Sequence, residues 1–428
     1  MGKLFINATK QFGNKIENAI QNSDGRIDGI HYSIADIPCS KKEKLNTEGI
    51  IVLREFPLYY LTISNDYLDS YLDQTPVDLG EGKKFIPNEN NNKLICLNSH
   101  IDFSFFKSLP LSPYEYSINR DSFQEMVCNF YDKYYVDSYL MTPTFTFNKI
   151  NSWEEVVLAD TLESTKNYLH DNHKEKVILS VLLDPALLET SDVASNIINY
   201  VSRFNFIDSL SLTIISDESM YYYSKDVYKN ILVFIKELVS HNINVYLQYC
   251  GIKDAIFSVL DIERFSVGWF GSYRNFDTNT KGISEISTTA FGKRIKKVLS
   301  ENYMSEVPLS YLDVLSDDNC FRMVGIKKSD IETTNYIYLE QKYWNEMLKI
   351  IKKDSDVETQ HFGDELIYER CKRLIKKIED AIVNLNELIS LLEKDGRMSD
   401  ASKLTQGNLK YVILYKEALE EYQNRLFF

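Results

Sequence analysis

The sequence predicts an α/β protein built on a (β/α)8 barrel-like parallel sheet with a C-terminal α-helical hairpin, and three observations lead to that class. Four apolar, β-rich runs recur at Val177–Leu183, Leu210–Ile215, Ile243–Leu247 and Phe265–Trp269. Their connections of about 27, 27 and 17 residues hold a helix and two loops, which a parallel pair needs because a tight hairpin cannot join it. The first two runs are almost unbroken in apolar character, as strands covered on both faces are. After residue 335 the pattern changes to long helical spacing. An open doubly wound sheet meets the first two observations equally well and stands as the alternative.

Taken in chain order, Glu48–Leu53 and Leu58–Ile63 read as one broken or two short strands, and Lys93–Leu97 as another. The polar, Pro/Asn/Gly-containing stretch from Thr75 to Asn92 between them reads as a surface loop. Asp121–Tyr131 has helical spacing, and Val136–Met141 reads as a strand running into Thr142-Pro-Thr-Phe. Ser152 followed three residues later by Glu155 is a capping box, so a helix is expected from Trp153 to about His170. A late strand near Phe321–Val324 brings the total to about eight. Residues 278–284 lack periodicity and read as a loop, whereas Ala290 to Glu301 returns to helical spacing.

Apolar residues at Leu374, Ile375, Ile378, Ile382, Leu385, Leu388, Ile389 and Leu392 form one helical face. A second series runs from Leu404 through Val412, Tyr415 and Leu419 to Leu426. Asp395-Gly396 separates the two as a helix-ending glycine does, and Ser399 or Asp400 is a candidate cap for the second. This defines an antiparallel hairpin at about 363–425. Two domains follow: a barrel-like domain at 1–335 and a C-terminal helical region at 336–428. Two helices alone bury one seam, so the hairpin is expected to pack on the barrel, on the helix near Leu339–Lys353, or on another copy.

Composition narrows the function classes. The formal net charge of −14 gives an overall field that repels phosphate backbones, although basic runs occur at 293–297 and 370–377. Acidic residues interleave with those runs, so a solvated helix face is the simpler reading. Nucleic acid is a disfavoured partner. Six scattered cysteines without C-x-x-C spacing or neighbouring histidines read as reduced thiols of a cytoplasmic protein, with no metal site. No stretch has the apolar length of a membrane span, and the start does not resemble a secretion signal. Phosphate-loop, dinucleotide-fingerprint, nucleophile-elbow and H-E-x-x-H motifs are absent, which removes nucleotide hydrolysis, dinucleotide redox and serine-hydrolase chemistry and leaves no cofactor implied.

In a barrel, function collects where strands run into the following helices. Those positions are Arg54-Glu55, His100 to Asp102, Thr142 to Thr144, Asp184, Asp217-Glu218, Gln248 to Cys250 and Trp269 to Arg274. Asp184, Glu218 and Asp217 are the candidate catalytic acids, because like charges sharing a site raise one pKa and separate acid from base. Asp184 before Pro185 equally suits a cap of the next turn. Arginine is scarce, 12 of 48 basic residues, so its planar fork in an apolar context carries information. Arg274 is accordingly a candidate anion clamp or else a structural arginine stacked on aromatics. Trp269 is a candidate stacking platform, and Gln248, Asp102, His100 and Arg54 complete the candidate substrate-binding set. His31 has no visible partner. The leading expectation is a barrel enzyme performing acid/base chemistry on a small polar, sugar-like or anionic substrate. The alternatives are a non-catalytic scaffold binding proteins or itself through an acidic face and the hairpin, and a nucleic-acid-associated factor.

Overall fold

The computed structural model describes residues 3–7, 27–33, 51–56, 77–78, 84–88, 93–97, 113–134, 140–147, 153–172, 174, 176–189, 191–216, 223–268, 274, 284–285, 295–353 and 355–426. Eight parallel strands make its central sheet: β1 (Lys3–Asn7), β2 (Ile27–Ser33), β3 (Ile51–Glu55), β4 (Phe145–Phe147), β5 (Val177–Leu183), β6 (Ile207–Ile214), β7 (Asn244–Cys250) and β8 (Arg264–Gly268). Their spatial order is β3-β2-β1-β8-β7-β6-β5-β4, and each hydrogen-bonded pair is parallel. That order is the chain order wrapped into a circle. A doubly wound sheet would reverse direction at a switch point, and this one does not. The two ends of the series meet where the Thr144 amide donates to the Phe56 carbonyl at 2.7 Å. The sheet is therefore curled and barrel-like.

Buried-strand chemistry placed β5 to β8 close to their sequence-derived limits. β5 runs over Val177–Leu183 with every residue buried. Other expectations need correction, among them the surface loop expected from Thr75 to Asn92, which contains the strand Lys84–Asn88. Lys93–Leu97 is a strand, but it belongs to a separate four-stranded sheet, pairing antiparallel with Lys84–Asn88 and with Ser284–Glu285. The segment at Phe321–Val324 is the end of a helix, Asp317–Val324, with Ser316 as N-cap, two aspartates in its first turn and Gly325 in the left-handed conformation (φ 64°) after it. These are standard start and stop signals, and they outweigh three apolar residues in a run of four. Within the span expected to be helical after Ala290, Lys297–Ser300 forms a hairpin with Ser305–Pro308. Met141 makes only an isolated bridge to Ile178, and the strand itself follows at β4. The stretches 58–63, 278–283 and 286–294 lie outside the described residues.

β1 and β2 are barrel strands for which the sequence reading had no candidate at all. In β2 the inner face carries Gly29 and His31, so the apolar alternation that marks a half-buried strand is absent. A β-carbon at Gly29 would lie 2.5 Å from the Phe5 ring and 2.6 Å from the Ile51 carbonyl oxygen. Only glycine lets Phe5 fill the barrel there. Phe5, Leu53, Met141, Ile178 and Tyr246 form an interior cluster separate from the main core. Arg264, 1 % exposed, lies over the Phe5 ring (5.0 Å) and the Tyr246 ring (4.2 Å).

The outer layer includes helices α1 (Pro113–Tyr134), α2 (Trp153–Asp171), α3 (Ser191–Ser202) and α4 (Lys225–Ser240). After the short helix α5 (Asp317–Val324) come α6 (Tyr336–Ile351) and the hairpin of α7 (Gly363–Lys394) with α8 (Met398–Leu404) and α9 (Lys410–Arg425). The hairpin spans 363–425, as its periodicity requires, and Gly396 (φ 79°) turns the chain between its limbs. Its seam is covered within the molecule. Tyr415 packs edge-on against Tyr228 of α4 at 5.5 Å, and Lys225 and Lys229 of α4 pair with Glu421 at 2.7 and 3.4 Å. A π turn at Thr405–Leu409 joins α8 to α9, and there Asn408 Nδ2 donates to the Glu306 carbonyl at 2.8 Å.

Candidate functional site

Side chains alternate across a strand, so the parity of Phe5 and Leu53 places Asn7, His31 and Glu55 inside the barrel. Asn7 and Glu55 end their strands, which puts this group at the C-terminal end of the sheet. All three are 1 % exposed. From β7 comes Gln248, whose Nε2 donates to Ser211 Oγ of β6 at 3.0 Å. The next residue, Tyr249, has φ 55°, and the pairing of β7 with β8 shifts register between Leu247 and Cys250. This bulge turns two successive side chains inward, because Tyr249 also reaches the interior: its hydroxyl donates to Glu55 Oε2 at 2.8 Å. A tyrosine in the left-handed region is strained, and such strain is concentrated at functional positions.

Donor and acceptor chemistry fixes the direction of the network. The Ser266 carbonyl only accepts, so Asn7 Nδ2 donates to it at 2.9 Å and Asn7 Oδ1 faces His31 Nδ1 at 2.9 Å. That oxygen only accepts as well, so the proton is on Nδ1, and in the neutral ring Nε2 is the basic nitrogen. Thr144 Oγ1 lies 3.1 Å from Glu55 Oε1 and 2.9 Å from Ser180 Oγ. The Thr144 hydroxyl donates its single proton to Glu55, so Ser180 donates to Thr144. Glu55 thus receives hydroxyl protons from both sides, while the Tyr249 ring meets His31 edge-on at 5.7 Å. A buried carboxylate and an oriented imidazole on either side of one tyrosine are groups that can accept and return protons.

The residues singled out from the sequence are placed as follows. Gln248 lies in the interior. Asp184 accepts from the Ala186 amide at 3.0 Å and caps the turn Pro185–Glu189, at the end of β5. Arg54 alternates with Leu53 and Glu55 and so points to the helix side of the sheet. Arg274 is 6 % exposed and donates to the Gly268 carbonyl (3.2 Å), Glu306 (3.0 Å) and Glu340, with its guanidinium 3.3 Å from the Tyr343 ring centroid. It ties the segment after β8 to α6. Trp269, Asp217, Glu218, His100 and Asp102 lie outside the described residues. Glu55, Thr144 and Tyr249 stand among the strand-end positions read from the sequence, whereas Asn7 and His31 were missed because β1 and β2 were. The signal that would have found them is Ile27-Asp-Gly-Ile-His-Tyr-Ser33 read as a strand with a polar inner face. Among the described residues no group of His, Cys, Asp or Glu is arranged to hold a metal ion.

Just past β7 lies a second buried charged group. Lys253 (3 % exposed) donates to Tyr223 Oη at 3.0 Å, and Asp254 (5 %) accepts from the Gly251 amide at 2.8 Å. Burial lowers the Lys253 amine and raises the Asp254 carboxyl to about 6, against the opposing pull of the Lys253 charge. A carboxyl raised on folding contributes stability that is complete below its unfolded value and lost as pH rises through the folded one. The difference in unfolding free energy between wild type and Asp254→Asn should therefore shift by about 2–3 kcal/mol in favour of wild type from pH 7 to pH 4. Urea titrations at four pH values measure it, and a flat difference would refute the assignment.

No protein-family model matches this chain, and no curated protein or solved structure matches it either. Fold and site together define the class alone: a singly wound α/β barrel-like protein with a polar group inside its C-terminal end. None of its described helices is long and apolar enough to cross a membrane.

Proposed function

We propose that this protein is an acid/base enzyme acting on a small polar substrate at the C-terminal end of its barrel. His31 is the general base, oriented by Asn7, and Glu55, gripped by Tyr249 and Thr144, is the second proton-transfer group. The observation that carries the reading is the Tyr249–Glu55 hydrogen bond made from a strained, bulged strand position, beside a histidine whose tautomer the network sets. Gln248 in the interior and Asp184 at the end of β5 fit substrate positioning. The described thiols Cys128, Cys250, Cys320 and Cys371 are free, which suits a cytoplasmic setting.

The test is proton exchange in D2O across a panel of sugars, sugar phosphates and 2-oxo and 2-hydroxy acids, followed by NMR. Wild type should exchange carbon-bound hydrogen in one class of compound, and His31→Gln and Glu55→Gln should lower the rate by about 10²-fold or more while folding normally. Rates within twofold of wild type in both variants would rule the assignment out.

A second reading has its own observation. Arg274, Gln248 and Asp184 are each engaged by protein groups, which is what a scaffold barrel retains. If no compound in the panel exchanges or raises the melting temperature, the scaffold reading takes precedence.

A further inference from the structure

A cleft of about 400 Å³ lies in the outer layer, between the end of α6, the short helix Ser355–Gln360, the first half of α7 and the turn Ile252–Val259. Six of its lining side chains are cationic: Lys349, Lys352, Lys353, Arg370, Arg373 and Lys377. None of its lining residues is acidic, in a chain whose net charge is −14. The floor is apolar, made by buried groups such as Val259, Ile350 and Leu374.

The frame of this cleft is rigidly built. Arg370, its side chain 7 % exposed, gives a two-pronged pair to Glu358 (2.7 and 2.6 Å) and further bonds to Asp261 (2.9 Å) and the Val259 carbonyl (3.2 Å). Lys353 shares Asp261 at 2.7 Å, and Lys349 is held by Glu346 at 2.8 Å. These groups lock α6, α7 and the turn after β7 around the opening. Lys352 and Lys377 are different: both are exposed, and neither makes a hydrogen bond or ion pair among the described residues. Lysines at a helix end commonly complement its dipole, which accounts for those after α6 but not for Lys377 in the middle of α7.

We infer that this cleft binds a small phosphate ester with an apolar or ring-shaped body, the phosphates on Lys352 and Lys377 and the body on the apolar floor. The volume is that of a small-molecule site. Two exposed lysines beside a fixed, ion-paired frame suit a multiply charged anion, and an apolar floor adds contact area that an inorganic ion alone would not use. The cleft is made by the outer helices, so its ligand is not the substrate proposed for the barrel interior.

Calorimetric titration of the full chain with adenosine 5′-diphosphate and with pyrophosphate tests the inference. Wild type should bind both, the diphosphate ester more tightly, and binding should weaken as salt is raised. The double variant Lys352→Glu/Lys377→Glu should lose at least about tenfold in affinity. Lys372→Glu/Lys376→Glu, which makes the same change in total charge on α7 outside the lining, should stay within about twofold. Absence of binding by wild type, or an equal loss in both variants, overturns the inference. So does a single-stranded oligonucleotide that binds more tightly than the diphosphate through Lys352 and Lys377, because the site would then be one for a polymer.

Discussion

Replacing Arg274 by alanine should destabilise the protein by about 3–5 kcal/mol, because it removes a guanidinium bonded to a buried carboxylate. Glu340 is 7 % exposed at its side chain, and Arg274 is the cation paired with it, while the guanidinium also holds Glu306 and stacks on Tyr343. Much of the cost is the weaker compensation of the buried Glu340 charge rather than the net worth of the pair. Adding Glu340→Gln in the Arg274→Ala background should therefore restore part of the stability, and a double-mutant cycle by urea unfolding measures how much. A loss below about 1 kcal/mol for the single variant would mean that Arg274 is not structurally committed, and would return it to the role of an anion clamp.

Leu388→Ala in α7 should cost about 2–5 kcal/mol, the range for a fully buried leucine whose site cannot collapse. Leu388 is 0 % exposed in the hairpin seam. The more informative expectation concerns cooperativity. α9 contacts α4 through Tyr228–Tyr415 and the lysine pairs to Glu421, and Asn384 of α7 donates to the Asn302 carbonyl at 2.8 Å. Hairpin and barrel should unfold together, at a midpoint independent of protein concentration. Two separate transitions, or a midpoint that rises with concentration, would make the hairpin an independent or self-associating module instead.

Legibility of this fold from sequence followed the chemistry of each strand's surroundings. β5 through β8 were readable because apolar helices cover their outer faces and the intervals between them suit only crossovers. The hairpin was readable because a long seam enforces helical spacing and Gly396 ends it. β2 was not, because its inward residues are Gly29 and His31, one chosen for the space that Phe5 needs and the other for a hydrogen bond to Asn7. Lys93–Leu97 was readable as a strand but not as one outside the barrel, since a strand's sequence does not name its neighbours. The residues that defeat pattern reading are those that build the polar interior, which is where local rules are expected to give way to function.

The candidate site divides in the same way. Strand ends could be listed from the sequence, and Glu55, Thr144, Gln248 and Tyr249 were on that list. Which of two adjacent residues turns inward depends on register, and a one-residue slip exchanges the faces. Arg54 and Glu55 show the rule, since it is the carboxylate that enters the barrel. At β7 a bulge breaks the rule and sends both Gln248 and Tyr249 inside.

By itself, the sequence determined the parallel α/β character of the sheet, the crossover connections and the limits of the hairpin, because each follows from periodicity or residue type within a short window. Only the tertiary structure decided that Asn7 and His31 form one hydrogen-bonded pair and Thr144, Glu55 and Tyr249 another group, residues that the chain spreads over some 240 positions, the two adjoining where the Tyr249 and His31 rings meet, and that Arg274 is bound to glutamates. The physical reason is that the curled sheet is made by long-range pairing. Its partners are set by the wrapped strand order and register, to which no local stretch of residues has access.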